Sequence, residues 1–176
     1  MNRRAFLVAV GTTALAGCSA SLRPASETIE CPSLGDRFPT YCNTEEGNRV
    51  FIHTKSDTYN VVDDPSFSLV NMSLEPIRFG PLAPGRGLAK QTESGWEYVE
   101  DRFTGQSAQT LARGETWSWR VEVGYDAEAE STVVPIPREE ITDGEYTFYV
   151  QVYSRLGGRR IIARPFTFET KPIIPR

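Results

Sequence analysis

The sequence predicts an all-β protein: an antiparallel β-sandwich of about seven to eight strands, preceded by an N-terminal signal and tether. Three observations predict it. No long apolar stretch at helical spacing occurs after residue 20. The apolar residues fall instead in short runs that alternate with polar ones. Turn-forming residues break those runs, as they do between antiparallel strands.

The elements follow in chain order. Arg49 to Lys55, RVFIHTK, reads as the first strand. Ser66 to Asn71 puts Phe67 and Leu69 on one face, and Glu75 to Gly80 puts Ile77 and Phe79 on one face. NMSLEP, from Asn71 to Pro76, is the corner between them. Gly80 to Gly87, GPLAPGRG, is a turn-rich loop. It lacks the following Lys-Ser/Thr and helix of a phosphate-binding loop. Gly87 to Glu100 reads as a hairpin turning at Glu93-Ser94-Gly95. Glu115 to Val123 sets Trp117, Trp119, Val121 and Val123 against Ser118, Arg120 and Glu122. Glu145 to Tyr153 puts Tyr146, Phe148, Val150 and Val152 on one face, and Arg160 to Phe168 closes the fold.

The last hairpin poses a register question. A two-residue Gly157-Gly158 turn pairs Phe148 with Thr167 and sends Phe166 and Phe168 to the other face. A three-residue loop, Leu156-Gly157-Gly158, pairs Phe148 with Phe166 and Tyr146 with Phe168. A one-residue slip flips every side chain, so the second register buries better. It also puts Gly158 where a left-handed residue is wanted. A bulge at Pro165 is the other repair, because proline cannot donate to the ladder.

The first thirty residues are of another kind. Arg3-Arg4 precede Phe6-Leu7 and a mostly apolar run from Ala5 to Ala16. That run falls short of the roughly 20 residues a membrane span needs, so it reads as the core of an export signal. The paired arginines resemble a twin-arginine signal, with Asn2 where Ser or Thr is usual. Leu15-Ala16-Gly17-Cys18 resembles the lipobox of prokaryotic lipoproteins. The resemblance implies cleavage before Cys18 and transfer of a diacylglycerol to its thiol. Each buried lipid methylene contributes about 0.8 kcal/mol, and two chains hold where one dissociates. The expected organisation is a cleaved signal over 1–17, a lipid-anchored tether and disulfide loop over 18–48, a sandwich over 49–170 and a tail over 171–176. Ser19 to Glu30 is polar and would reach at most about 40 Å when extended.

Composition narrows the function. The whole chain carries a net charge of −4. Without Arg3 and Arg4, 17 basic residues face 23 acidic ones, which argues against a nucleic-acid partner. Of three cysteines, Cys18 goes to lipid, and Cys31 and Cys42 remain as an even pair outside the cytoplasm. Such a pair implies a disulfide. A zinc site lacks ligands, since His53 is the only histidine.

Four segments carry a family resemblance. FSLVNMSLEPI, Phe67 to Ile77, resembles the strand-corner-strand F-x-L-x-N-x-S-x-x-P of bacterial Ig-like domains. ESGWEYVED (Glu93 to Asp101), LARGETWSWRV (Leu111 to Val121) and ITDGEYTFYV (Ile141 to Val150) are similar to three further segments of that family. Ala112-Arg113 stand where the family prefers a proline before Gly114. The resemblance covers roughly residues 60 to 170. It implies an Ig-like sandwich used for adhesion, scaffolding or accessory binding, and it carries over no catalytic residue. The bacterial intracellular proteinase inhibitor family shares the N-x-S-x-x-P and G-E grammar, but the export signal points away from it.

Several candidate sites remain. Trp96 and Tyr98 share a strand face and form the candidate exposed aromatic patch. Trp117 and Trp119 share another face, which Val121 and Val123 mark as core. Asn71-Met72-Ser73 matches an N-glycan acceptor sequon, but the favoured reading of Asn71 is a corner residue whose amide satisfies the turn. Asp63-Asp64, Asp126 to Glu130 and Glu139-Glu140 match no calcium-loop spacing. Arg155, Arg159 and Arg160 cluster at the last turn, facing phosphate headgroups or acidic glycans, or guarding the tip against edge pairing. His53 offers the sole histidine-based catalytic route, with no Gly-x-Ser-x-Gly to accompany it. The expectation is an extracytoplasmic, lipid-anchored, non-catalytic binding or structural module without metal or cofactor. Its partners are membrane lipid through Cys18 and an envelope protein or glycan. The alternative is a hydrolase or protease inhibitor that presents its loops, GPLAPGRG first among them.

Overall fold

The computed structural model describes residues 31–34, 38–42, 49–80, 86–99, 108–124 and 132–170. Cys18, the signal, the tether, the tail and most of GPLAPGRG lie outside the described residues.

Twelve strands and one short 3-10 helix occur among the described residues, arranged as two sheets. The small sheet holds four strands in the order β10-β9-β4-β2: β2 (Val50–Thr54), β4 (Ser66–Asn71), β9 (Thr116–Val123) and β10 (Val133–Ile136). The large sheet is built on two long strands, β11 (Gly144–Ser154) and β12 (Gly158–Glu169). Short strands flank them end to end. β6 (Arg86–Thr92) and β5 (Ile77–Phe79) share the free edge of β11. β1 (Thr40–Cys42) and β3 (Thr58–Asn60) share the free edge of β12. β7 (Gly95–Tyr98) extends β6, and β8 (Gln109–Leu111) extends β5.

The all-β, two-sheet expectation is met, but a purely antiparallel arrangement is not. β1 and β3 run parallel to β12, and β10 runs parallel to β9. Seven to eight strands were expected because periodicity needs length. β1, β3 and β8 have three residues each, too few to alternate visibly.

The core lies between the sheets. Phe67 of β4 stacks on Phe148 of β11, with ring centroids 4.5 Å apart and planes 4° apart. Phe79 meets Trp117 and Trp119 edge-on at 5.6 and 5.4 Å. Trp119 is fully buried, and the partly buried Trp117 packs against the same core. Both tryptophans are therefore core residues on the face that the alternation marked. Aromatic pairs of this kind contribute about 0.5–1.5 kcal/mol beyond the area they bury.

The sequence places Tyr146, Phe148, Val150 and Val152 on one face of β11, and the strand is buried on its other face as well. Tyr149 and Ala163 on its outer side join Leu34, Ala89 and Ile161 in a second apolar cluster. Phe38, Cys42 and Trp96 pack over that cluster. Residues around Cys31–Cys42 thus cover the back of the large sheet.

The final hairpin differs from the expected register. Its loop is Arg155-Leu156-Gly157, with Ser154 opposite Gly158, Tyr146 opposite Phe166 and Phe148 opposite Arg164. The slip is two residues, so every face is preserved. Gly158 does take the left-handed conformation, at φ +63°. The Ser154 hydroxyl accepts the Gly157 N–H at 3.0 Å and closes the turn. Arg164, placed opposite Phe148, sends its guanidinium out to Asp57 at 2.6 Å. No bulge is needed at Pro165, which pairs with Thr147. The N–H groups of Ile161 and Thr167 point away from β11, to Pro39 and Asp57. Pro165 shares their parity, so its missing N–H faces the gap between β1 and β3 and costs no bond to β11.

Candidate functional site

The outer face of the large sheet gathers more of the candidate residues than any other surface. Cys31 and Cys42 form a disulfide there, with Cα atoms 5.5 Å apart. Cys42 stands beside Ala163 in the parallel β1–β12 register. The bond therefore fixes residues 31–34 onto the sheet, where Leu34 is buried.

Trp96 and Tyr98 reach the same cover from β7. Tyr98 donates its hydroxyl to the Leu34 carbonyl at 2.8 Å. Its ring meets Tyr149 edge-on at 5.3 Å. About half of Tyr98 remains exposed, and Trp96 is partly buried. Burial pushes the Tyr98 phenol above its ordinary pKa, because desolvation disfavours the phenolate. The two aromatics are thus hinged to the disulfide segment rather than standing as a separate platform.

A row of side chains crosses this face next to the cover. β5 and β12 flank β11, so Arg78 and Arg159 both stand directly opposite Tyr153. Tyr153 is 44% exposed between them. The Arg159 guanidinium lies 5.9 Å from the Phe38 ring, within cation–π range. Arg78, Tyr153, Arg159, Gln151 and Gly80 line a cleft of about 470 Å3. Gln151 is 6% exposed, and its Oε1 has no hydrogen-bond partner among the described residues. Sequence reasoning singled out Arg159 alone of these. The available signal was the outward phase of Gln151 and Tyr153 along β11; only the register adds Arg78 from 75 residues upstream.

A second cleft, of about 560 Å3, opens at the hairpin end between Tyr41, Arg49, Leu74, Glu75, Leu156 and Arg160. Leu74 and Leu156 are 72% and 87% exposed there. The Arg155, Arg159 and Arg160 cluster is therefore divided. Arg159 faces the outer cleft, and Arg160 the end cleft.

Asn71 is fully buried at the corner. Its Nδ2 donates to the Glu75 carbonyl at 3.0 Å and to the Leu111 carbonyl at 2.9 Å. Its Oδ1 accepts the Ser73 N–H at 3.0 Å and the Ser73 hydroxyl at 2.6 Å. The corner role of Asn71 accounts for every polar atom of its side chain.

The remaining candidates are dispersed. His53 is exposed on β2 opposite Ser68, whose hydroxyl pairs with that of Ser118 at 2.7 Å. Asp63 accepts the Asn60 N–H at 2.8 Å and serves its own turn. Glu139 and Glu140 lie in the 3-10 helix Arg138–Glu140. Asp126 to Glu130 lie outside the described residues. Among the described residues, no three His, Cys, Asp or Glu side chains are grouped to hold a metal ion.

No family model matches the chain, and no curated protein matches it. Six chains among solved structures match distantly, including the following two. One is the X-ray structure of the Northeast Structural Genomics Consortium target SoR45, at 12% identity and TM-score 0.40, covering 73% of this chain and 92% of that one. The other is Pseudomonas fluorescens alkylpurine DNA glycosylase AlkC bound to DNA containing an abasic site analog, at 15% identity and TM-score 0.32. It covers 69% of this chain, which spans only 31% of the glycosylase. Likenesses at this level carry no functional argument.

Proposed function

We propose that this chain is an extracytoplasmic lipoprotein, anchored through Cys18, whose Ig-like sandwich is a non-catalytic binding module. The observation that carries the reading is the use of the three cysteines. Cys31 and Cys42 pair with each other. Cys18 is left at the end of Leu15-Ala16-Gly17, the position a lipobox reserves for the lipidated thiol. A disulfide also suits a compartment outside the reducing cytoplasm. The Ig-like assignment draws on the Asn71 corner, which joins two of the four resembling segments by hydrogen bonds.

The test is made on the full chain expressed in a host with lipoprotein processing. The mature N-terminus is expected at Cys18, carrying diacylglycerol by mass spectrometry, with the protein in the membrane fraction. Cys18→Ser should release it to the soluble fraction. An intact Met1, or Cys18 found in a disulfide, overturns the proposal.

A further inference from the structure

We infer that the cleft between Arg78, Tyr153 and Arg159 binds an acidic glycan. The inference rests on the binding-module reading and supplies its ligand class; it does not depend on the anchor.

Two guanidinium-bearing residues flank one aromatic ring by direct cross-strand pairing. Their strands lie two sheet spacings apart, about 9.5 Å. Among the described residues, no acidic side chain lines the cleft, although the chain as a whole is acidic. Neither arginine has a carboxylate partner among the described residues, and both are exposed. This is a local positive site whose guanidiniums meet no carboxylate among the described residues, with Arg159 resting beside the Phe38 ring. Arginine suits it, since the planar fork meets a carboxylate or sulfate with two parallel hydrogen bonds.

The rest of the cleft selects a sugar. Tyr153 presents a half-exposed ring at its centre, on which the C–H face of a pyranose can stack. Gln151 offers a buried carbonyl oxygen with no partner among the described residues. Buried acceptors are normally satisfied, so this one is matched to a donor that arrives with the ligand. A sugar hydroxyl supplies that donor and a uronate or sulfate supplies the anion, on one small molecule. A bare phosphate satisfies the arginines but gives Tyr153 nothing to stack on. Gly80 carries no side chain to fill the space.

The test uses the full chain with Cys18→Ser, so that lipid plays no part. Binding of tetragalacturonate, a heparin tetrasaccharide and sialyllactose is measured by calorimetry beside their neutral counterparts. At least one acidic probe is expected to bind, at least tenfold tighter than its neutral counterpart, and to weaken with added salt. Arg78→Ala and Arg159→Ala should each lose about tenfold or more, with unchanged thermal unfolding. Arg78→Lys should fall between. Gln151→Leu should lose affinity for the glycan while leaving any binding of inorganic phosphate unchanged. No binding of any acidic probe overturns the inference. So does stronger binding to phosphatidylglycerol vesicles than to the glycans, or loss that is equal for acidic and neutral sugars. No binding of any acidic probe, together with capture of an envelope protein undiminished by Arg78→Ala and Arg159→Ala, would leave the binding module standing and the glycan site refuted.

Discussion

The side-chain amide of Asn71 donates a hydrogen bond of 2.9 Å to the carbonyl of Leu111, 40 residues further along the chain. The main chain of Asn71 is engaged by the same partner turn. Its carbonyl accepts the Gly114 N–H at 2.6 Å, and its N–H donates to Glu115 at 3.1 Å. Two turns that look independent in sequence, N-x-S-x-x-P and the glycine turn before β9, are therefore one lock. It ties the corner after β4, in the small sheet, to the end of β8 in the large sheet. Removing the amide takes one donor from the Leu111 carbonyl and one from the Glu75 carbonyl, and each such hydrogen bond contributes about 1 kcal/mol. Asn71→Ala is expected to destabilise by about 2–3 kcal/mol in guanidinium unfolding. Asn71→Asp should cost a similar amount, because a carboxylate cannot donate to Leu111 or Glu75. A loss below about 0.5 kcal/mol in both variants would dissolve the lock.

The same geometry bears on the sequon. A glycan attached at Nδ2 replaces one of the two hydrogens donated to Glu75 and Leu111. The folded protein is expected to carry an unmodified Asn71 even in a glycosylating host. Mass analysis of the peptide spanning Asn71 decides the matter. High occupancy in natively folded protein would mean that the corner forms without this bond.

Tyr98 gives a pH signature. Burial raises its pKa above the ordinary value near 10. The unfolded chain then ionises first as pH climbs. The stability this imposes is intact below about pH 10 and is lost as pH rises through the higher folded value. Tyr98→Phe removes the ionisation together with the bond to Leu34. The variant should be about 1 kcal/mol less stable at pH 8 and should lose less stability between pH 9 and 11. Parallel stability curves for the two proteins over that range would refute the prediction.

Much of this was legible in the sequence, and the illegible part has physical causes. Phe67 and Leu69, or Trp117 and Trp119, are spaced at the strand period, and burial follows the period directly. Asn71 was legible as a corner residue because its side chain acts locally, on Ser73 and Glu75. Its reach to Leu111 was not, since nothing local specifies a partner 40 residues away. β1 and β3 are held by β12 rather than by any pattern of their own. The outer cover was missed for the same reason. Tyr149 falls opposite the Tyr146–Val152 face, and only the fold lays Leu34 and Trp96 over it. The cleft needs Arg78, Tyr153 and Arg159 in one cross-strand row, which only the register supplies.

That register hangs on Gly158. Its φ of +63° is the left-handed region, where a β-carbon costs about 1–2 kcal/mol. A β-carbon there meets no atom within 4 Å, so the cost is conformational alone. Gly158→Ala should lose about 1 kcal/mol, and Gly158→Asn less, because asparagine tolerates this conformation. Thermal unfolding of the three proteins ranks them. If alanine is tolerated as well as asparagine, the turn is not held as described.

The Cys31–Cys42 bond closes a loop with a sequence separation of 11 residues. In the chain-entropy model such a closure contributes about 3 kcal/mol. The contribution should be spent locally. Among the described residues, the inter-sheet core around Phe67, Phe148 and Trp119 includes none of 31–34 or 38–42. The outer cluster depends on that segment through Leu34, Phe38 and Cys42. Reduction, or the Cys31→Ser/Cys42→Ser double variant, should therefore expose the outer face before the protein unfolds. Trp96 emission should shift to the red and residues 31–42 should become sensitive to protease, while far-UV circular dichroism stays that of a β protein. The unfolding midpoint should fall, and the Tyr98 phenol should titrate nearer to its ordinary value once Leu34 leaves. Global unfolding on reduction, with no stage at which Trp96 responds alone, would mean that the cover and the core are one cooperative unit.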